Sequence, residues 1–359
     1  MSKQTIHDSA GTPAKRSEPA GKGLARTLAS FALGMMLAVP AMGQAQASGG
    51  DSPAAAIAAR TQATLAVPAS RNQIVTSSDG TRIAVYEYGP DASVAPTVVL
   101  VHGYPDTAKV WDQVVARLAP GYHVVTYDTR GSGNSDHPST QAAYKLSLLS
   151  ADLGAVLDAT AGGRKVHLVG HDWGAVQSWE SVAKTSFAGR IASYTSISGP
   201  SVDLTGQALR RNLLNPLQWG NLVQQAIASA YIVFFNLPLL PEIAWALGLP
   251  EALLQFTVFL EGGTREPYAS GDGAAAVNLY RANVTERLLA PTYDRIAVEN
   301  VQIIVPTRDA YVKESTATDL GSAVRYPLIR RIDAGHWVEL SHPDEVAQLI
   351  GEFADTHEF

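Results

Sequence analysis

The sequence predicts an α/β architecture: a mostly parallel, doubly wound sheet carrying an inserted helical block. Three observations lead there. Short, almost wholly apolar, β-branched runs alternate with amphipathic segments, the pattern of strands buried on both faces with helices crossing between them. The alternation stops near Asp203 and resumes only after Pro291. Two of the predicted strands run directly into glycine-bearing loops, Val101-His102-Gly103 and Val169-Gly170-His171-Asp172-Trp173-Gly174. Loops at the carboxyl edge of such a sheet are where ligands bind.

Residues 1–47 read as a leader. Lys15, Arg16, Lys22 and Arg26 precede an apolar run at 28–40, and Ala45-Gln46-Ala47 supplies the small residues of a cleavage site. The run is short for a membrane span, and no arginine pair marks a twin-arginine signal. The expectation is an exported protein, periplasmic or secreted, with no membrane span after signal removal; an uncleaved N-terminal anchor is the alternative. Residues 48–70, rich in Ala, Ser, Gly and Pro, read as a linker.

The first half of the core is expected over 71–202. Strands at 73–77 and 82–88 flank a turn at Asp79-Gly80, and further strands follow at 97–101, 123–127, 165–169 and 192–197. Helices are expected at 107–118, 144–160 and 175–187. Residues 203–291 read as helical, punctuated by Pro216, Pro238, Pro241, Pro250 and Pro267, and are expected to form a lid over the carboxyl edge of the sheet. The apolar stretch 226–240 is interrupted by Asn236 and Pro238, which favours the wall of a greasy pocket over a membrane span. Residues 292–359 complete the core with strands at 301–305 and 328–332 and a helix at 343–353.

Composition narrows the chemistry. With 359 residues, 46% of them hydrophobic and 17% charged, the chain can fold one large α/β domain plus an insertion. The net charge of −6 and the absence of a Lys/Arg-rich run in the body argue against a nucleic-acid partner. The lack of cysteine removes disulfides, thiolate nucleophiles and thiolate metal sites together.

The strongest local signal is Gly170-His171-Asp172-Trp173-Gly174, a strand-to-helix turn in which two glycines flank a polar residue. This is the G-x-nucleophile-x-G elbow, which presents its central side chain above the sheet. A plain turn with Asp172 as helix cap is the simpler alternative. A carboxylate at the centre excludes serine chemistry but suits attack on saturated carbon, since it is already ionised. The resulting ester needs a base and an oxyanion site for hydrolysis. His336, after the last strand, and Asp309, after the preceding one, follow Asp172 in the chain order nucleophile, acid, histidine. The backbone N–H groups of Tyr104 and Trp173 are the candidate oxyanion donors. His102 reads as structural, and no metal site is expected, because His102, His167 and His171 show no grouping with acids.

Four segments, HGYPDT (102–107), YDTRGSGNSDHP (127–138), GHDWGA (170–175) and DAGHW (333–337), resemble the α/β-hydrolase-fold epoxide hydrolases, and the resemblance covers residues 72–355. GHDWG with HG-x-P is shared with the haloalkane dehalogenases. The resemblance implies an α/β-hydrolase fold with a helical cap. It also implies hydrolysis of an epoxide by water to a vicinal diol through an alkyl ester on Asp172. Two cap tyrosines would bind the epoxide oxygen: Tyr231, which leads Tyr231-Ile-Val-Phe-Phe-Asn236, and Tyr280, in Asn278-Leu-Tyr280-Arg281, with Tyr268 as a rival for the second place. Trp173, Trp219, Phe234 and Phe235 are expected to line an apolar pocket, with Trp245 and Phe256 extending it, so the expected partner is a small apolar epoxide. No nucleotide cofactor is expected, because no G-x-G-x-x-G follows a strand. Two alternatives stand beside this reading. A haloalkane dehalogenase needs two N–H donors for the halide; Trp173 offers one, and the Tyr104 side chain has none. An exported binding protein on the same scaffold would keep the fold without turnover.

Overall fold

The computed structural model describes residues 69, 71–267 and 269–357. The leader, all of the linker except Ala69, and Tyr268 lie outside the described residues. Eight strands form one sheet: β1 (Arg71–Thr76), β2 (Arg82–Tyr88), β3 (Thr97–Val101), β4 (His123–Tyr127), β5 (Val166–His171), β6 (Ile191–Ile197), β7 (Val301–Pro306) and β8 (Leu328–Ile332). Their order across the sheet is β1-β2-β4-β3-β5-β6-β7-β8. β1 and β2 pair antiparallel at one edge, and every pair from β4 onward is parallel. The chain leaves β3 to one side for β4 and returns to its other side for β5, which opens a crevice at the carboxyl ends of β3 and β5.

Helices α1 (Asp112–Leu118), α2 (Leu146–Thr160), α3 (Trp173–Val182) and α4 (Thr185–Ala188) connect the first strands. Two expected helices begin as separate turns of 3₁₀ helix, Ala108–Trp111 and Gln141–Tyr144. The segment expected at 175–187 breaks into α3 and α4 and starts two residues earlier, on the elbow itself. α11 (Glu314–Ala317) follows β7, and α12 (Val338–Ser341) and α13 (Pro343–Asp355) follow β8.

Alternation along the strands divides the core between the two faces of the sheet. Val99 and Val101 pack with Val125, Leu168, Ile303 and the α2–α3 residues Val156, Leu157, Trp179 and Val182. Their neighbours Val98 and Leu100 pack with Val124, Ile304, Trp111, Val115, Val346 and Ile350 on the opposite face.

Between β6 and β7 lies an all-helical insertion: α5 (Val202–Leu213), α6 (Trp219–Ala228), α7 (Tyr231–Phe235), α8 (Leu240–Ala246), α9 (Leu249–Leu260) and α10 (Ser270–Leu289). Ser201 caps α5 by accepting the N–H of Leu204 at 3.1 Å. The first and last turns of the insertion are tied together, because Asp203 on α5 accepts the Thr292 N–H at 2.6 Å and also pairs with Arg287 near the end of α10. Arg287 reaches Glu180 on α3 at 2.6 Å as well, so one buried guanidinium joins the insertion to the core. Among the described residues, no single helix is long and apolar enough to cross a membrane.

Candidate active site

Asp172 sits at the carboxyl end of β5 with φ of +49°, a backbone region rarely occupied by a residue with a side chain. Such strain at the turn from strand to helix is what lifts the carboxylate out of the sheet. The turn is possible because Gly174 has no Cβ; one added there would lie 2.0 Å from the Val101 carbonyl oxygen. One Asp172 oxygen, Oδ1, accepts the backbone N–H of Tyr104 at 2.7 Å. The other, Oδ2, lies 3.6 Å from Nε2 of His336. Trp173 is the first residue of α3, so its N–H belongs to the unpaired donors of a helix start.

His336 and Asp309 arrive on loops that follow β8 and β7. Asp309 Oδ1 accepts the N–H groups of Tyr311 and Val312 at 2.7 and 3.0 Å, which leaves Oδ2 to bond His336 Nδ1 at 3.0 Å. Burial pushes the Asp309 carboxyl up, but the charge and hydrogen bond of His336 and the two backbone donors outweigh it and hold the group below its usual range. Burial likewise works against a charged His336. The flanking carboxylates of Asp309 and Asp172 overcome it and raise the imidazole well above its ordinary value.

Above Asp172 the core and the insertion meet in an aromatic cluster. Tyr104, Trp173, Tyr144 and Val176 come from the core; Tyr231, Phe235, Trp245, Val277 and Tyr280 come from the insertion. The Tyr280 ring stands 4.9 Å from Trp173, 5.2 Å from Tyr104 and 5.8 Å from Tyr231. The rings of Tyr231 and Tyr280 pack edge-on against each other. Burial and then neighbouring charges, Asp172 among them, keep both firmly protonated. Trp245 donates its indole N–H to the Tyr104 hydroxyl at 2.8 Å, fixing that ring.

The structure therefore brings together Asp172, Asp309, His336, Tyr231, Tyr280, Tyr104, Trp173 and Phe235, with Phe234 partly buried against them. It does not bring Trp219 there. That side chain is half-exposed on α6, and its indole N–H is donated to the Leu213 carbonyl. Phe256 is also mostly exposed.

Two features escape a reading of the sequence. Tyr311 packs its ring 4.9 Å from His336 and 5.7 Å from Tyr231, bridging the histidine and the phenol pair. Its place two residues after Asp309 was the available signal. Second, His171 is not without acidic company: its ring, Asp106 and Glu339 bring their ligand-type atoms within 4.8 Å of one another, all buried. This corrects the expectation that His171 has no grouping with acids. The three residues are far apart in sequence, so spacing could not reveal the contact. The cluster lies directly behind the site, since His171 Nε2 meets the His336 carbonyl at 2.9 Å. Asp106 accepts the Trp337 indole N–H at 3.0 Å. Burial, then the charge of Asp106, raises Glu339 well above the usual carboxylic range, so it is held as a neutral acid. Burial, followed by the nearby His336, lowers His171 to about 4. His102 is structural, as expected: Nδ1 bonds the Gly103 carbonyl, and Nε2 accepts the Thr129 N–H.

The fold and the site together define an α/β-hydrolase-fold protein with an aspartate at the nucleophile elbow, and the chain belongs to the alpha/beta hydrolase family, whose model matches residues 98–349. Among curated proteins it is 33% identical over 295 residues to "Probable oxidoreductase EphD" of Mycobacterium tuberculosis, covering 79% of this chain and 49% of that one. It is 34% identical over 227 residues to "Epoxide hydrolase A" of the same species, covering 61% and 60%, and 27% identical over 277 residues to "Epoxide hydrolase 3" of Xenopus tropicalis, covering 72% and 71%. The chain thus spans about half the length of the first of these relatives. Among solved structures, an epoxide hydrolase from Bacillus megaterium, complexed with its product diol, superposes with a TM-score of 0.65 at 20% identity, over 79% of this chain and all of that one. That likeness concerns the fold.

Proposed function

We propose that the protein hydrolyses an apolar epoxide to a vicinal diol through a covalent ester on Asp172, with α5–α10 acting as the cap over the reacting centre. The observation that carries this is the pairing of a carboxylate on the elbow with two protonated phenols packed edge-on in the aromatic cluster above it. The relatives named Epoxide hydrolase 3 and Epoxide hydrolase A support the same reading. Asp172 Oδ2 attacks a ring carbon, the C–O bond breaks, and the oxygen leaves as an alkoxide that takes a proton from Tyr231 or Tyr280. Oδ1 becomes the ester carbonyl oxygen, already on the Tyr104 N–H.

Alkylation also changes the histidine. While Asp172 is an anion, two carboxylates favour the imidazolium. The ester is neutral, so one of those anions disappears and Nε2 can act as a base. Water then attacks the ester carbonyl and gives its proton to His336, while Asp309 holds the ring and balances its charge. Collapse of the tetrahedral intermediate breaks the bond to the diol oxygen, which leaves with the proton held on His336; the proton left on the Asp172 carboxyl returns to the phenolate, restoring all three groups.

A phenol pair suits an oxygen leaving group, whereas a halide calls for N–H donors. The Tyr104 side chain offers none, and its hydroxyl already accepts from Trp245. Export after cleavage at Ala47 belongs to the same proposal, and N-terminal sequencing of the secreted or periplasmic protein tests it.

The mechanism is tested with His336→Gln, which should be alkylated but not turn over. Mass spectrometry should find the protein heavier by one epoxide, with the label on the peptide containing Asp172. A first-turnover diol carrying solvent oxygen, with no adduct in the variant, would make Asp172 a general base and sink the ester route.

A further inference from the structure

The outer surface of the insertion is unusual for a folded chain. Fifteen of the twenty large apolar side chains exposed among the described residues fall within residues 212–260. Single exposed hydrophobics need no explanation, but a concentration of them marks an interaction site. They also follow the helices. On α8 and its C-cap, Leu240, Ile243 and Leu247 recur at i, i+3 and i+7, and on α9, Leu249, Phe256 and Leu260 recur at i, i+7 and i+11. Each helix thus turns one apolar stripe outward, while its other side faces the protein: Trp245 is fully buried against Tyr104, and Val258 is buried in the core.

We propose that the outward face of α8 and α9 docks on the surface of a lipid bilayer. Charge singles out this occupant. Residues 212–260 contain only two charged side chains, Glu242 and Glu251, and both are paired, to Arg281 at 2.5 Å and to Arg265 at 3.0 Å. A folded partner or a second copy calls for a polar rim with hydrogen bonds in register, and an acidic surface calls for Lys or Arg. This face supplies no charge for either, which matches the uncharged interior of a zwitterionic bilayer.

Length fixes the mode. α9 has 12 residues, roughly 18 Å at 1.5 Å per residue, against about 30 Å of hydrocarbon. The α8–α9 pair reaches the apolarity and length of a span only when taken together, and it is bent by 71° at Leu247-Gly248. Two short helices in this arrangement lie in the interfacial plane rather than cross it. The α8 helix also supplies Trp245 to the cluster over Asp172, so an apolar substrate dissolved in the bilayer would meet the site from its own side. That delivery rests on the epoxide reading; the docking does not.

The absence of cysteine makes the test direct. Leu247→Cys and, as a control on a distant exposed loop, Val94→Cys are each labelled with an environment-sensitive nitrobenzoxadiazole dye in the full chain and mixed with phosphatidylcholine vesicles. The label at 247 should brighten and be quenched by brominated acyl chains, while the label at 94 stays unquenched. Ile243→Glu/Leu247→Glu should reduce vesicle partitioning tenfold or more against wild type, which carries the same N-terminus. Its cooperative melting, and its turnover of a short water-soluble epoxide if the proposed activity holds, should be unchanged. Three results overturn the proposal: no vesicle binding, bound protein whose 247 label is not quenched, or sedimentation equilibrium showing a dimer that buries the 247 label without lipid.

Discussion

Asp309 divides its two oxygens between backbone and histidine, and this division sets the tautomer of His336. With Oδ1 held by the N–H groups of Tyr311 and Val312, only Oδ2 faces Nδ1. Asp309→Asn keeps the shape but can turn an amide N–H toward the ring, which favours the tautomer with its proton on Nε2. That proton occupies the atom needed as base. Turnover should fall at least about 10²-fold, while the rate of adduct formation on Asp172 changes much less. Rapid-quench single turnovers separate the two steps; an equal loss in both would assign Asp309 a role in alkylation instead. The triad was legible in the sequence because each member ends a strand in recognisable company: Gly-x-Asp-x-Gly, an acid after β7, Gly-His after β8. Asp106 and Glu339 were not legible, because their partner His171 reaches them only through the packing of three separate loops and helices.

Among the elements, α10 is the longest helix of the insertion and carries its main bond to the core. Arg287 spans Glu180 on α3 and Asp203 on α5, with all three side chains at most 10% exposed. Removing one partner of a buried ion cluster leaves uncompensated charge, so Arg287→Ala should cost about 3–5 kcal/mol. Arg287→Met, which retains apolar packing, should lie close to the alanine variant, because both leave Asp203 without a cation and Glu180 with Lys184 alone. Urea unfolding measures both, and a loss under about 1 kcal/mol would show that solvent relieves the two carboxylates. The type and order of the core elements were readable because strands buried on two faces need continuous apolar runs. Their ends were less so. β5 extends through Gly170 and His171, which continue the ladder beside Ser196 and Ile197, although the glycine reads as a stop. In the insertion, proline punctuation located the helices, but composition could not say which way each faced. Trp219 was therefore expected in a pocket and stands half-exposed instead.

Across the whole molecule, buried ionisable groups decide how stability follows pH. Glu339 has a raised folded pKa, so the stability it confers as a neutral acid is present below the unfolded value and is lost as pH rises through the folded one. His336 acts in the same direction on the alkaline side, since its charged form is favoured in the fold. Asp309, held low, contributes above its unfolded value and loses that contribution as pH falls through its folded one. Glu339→Gln keeps the neutral shape and removes that titration. Its unfolding free energy should fall less steeply than wild type's as pH rises above the unfolded carboxyl value, as read from urea melts across that range. Parallel curves would mean that Glu339 is already ionised in the fold.

The bond between Asp203 and Thr292 has a consequence for how such a chain can change. It makes the departure from β6 and the return toward β7 a single gateway. Residues beyond it manage the walk back to the next strand: Ala297 and Val298 both donate to the Val182 carbonyl. Everything between the two gateposts is therefore a cassette. A change of length inside it need not move the strands on either side, provided Arg287 keeps its bonds to Glu180 and Asp203. Asp172 is encoded before it and Asp309 and His336 after it, so an exchanged cassette would leave those three in place while replacing Tyr231 and Tyr280.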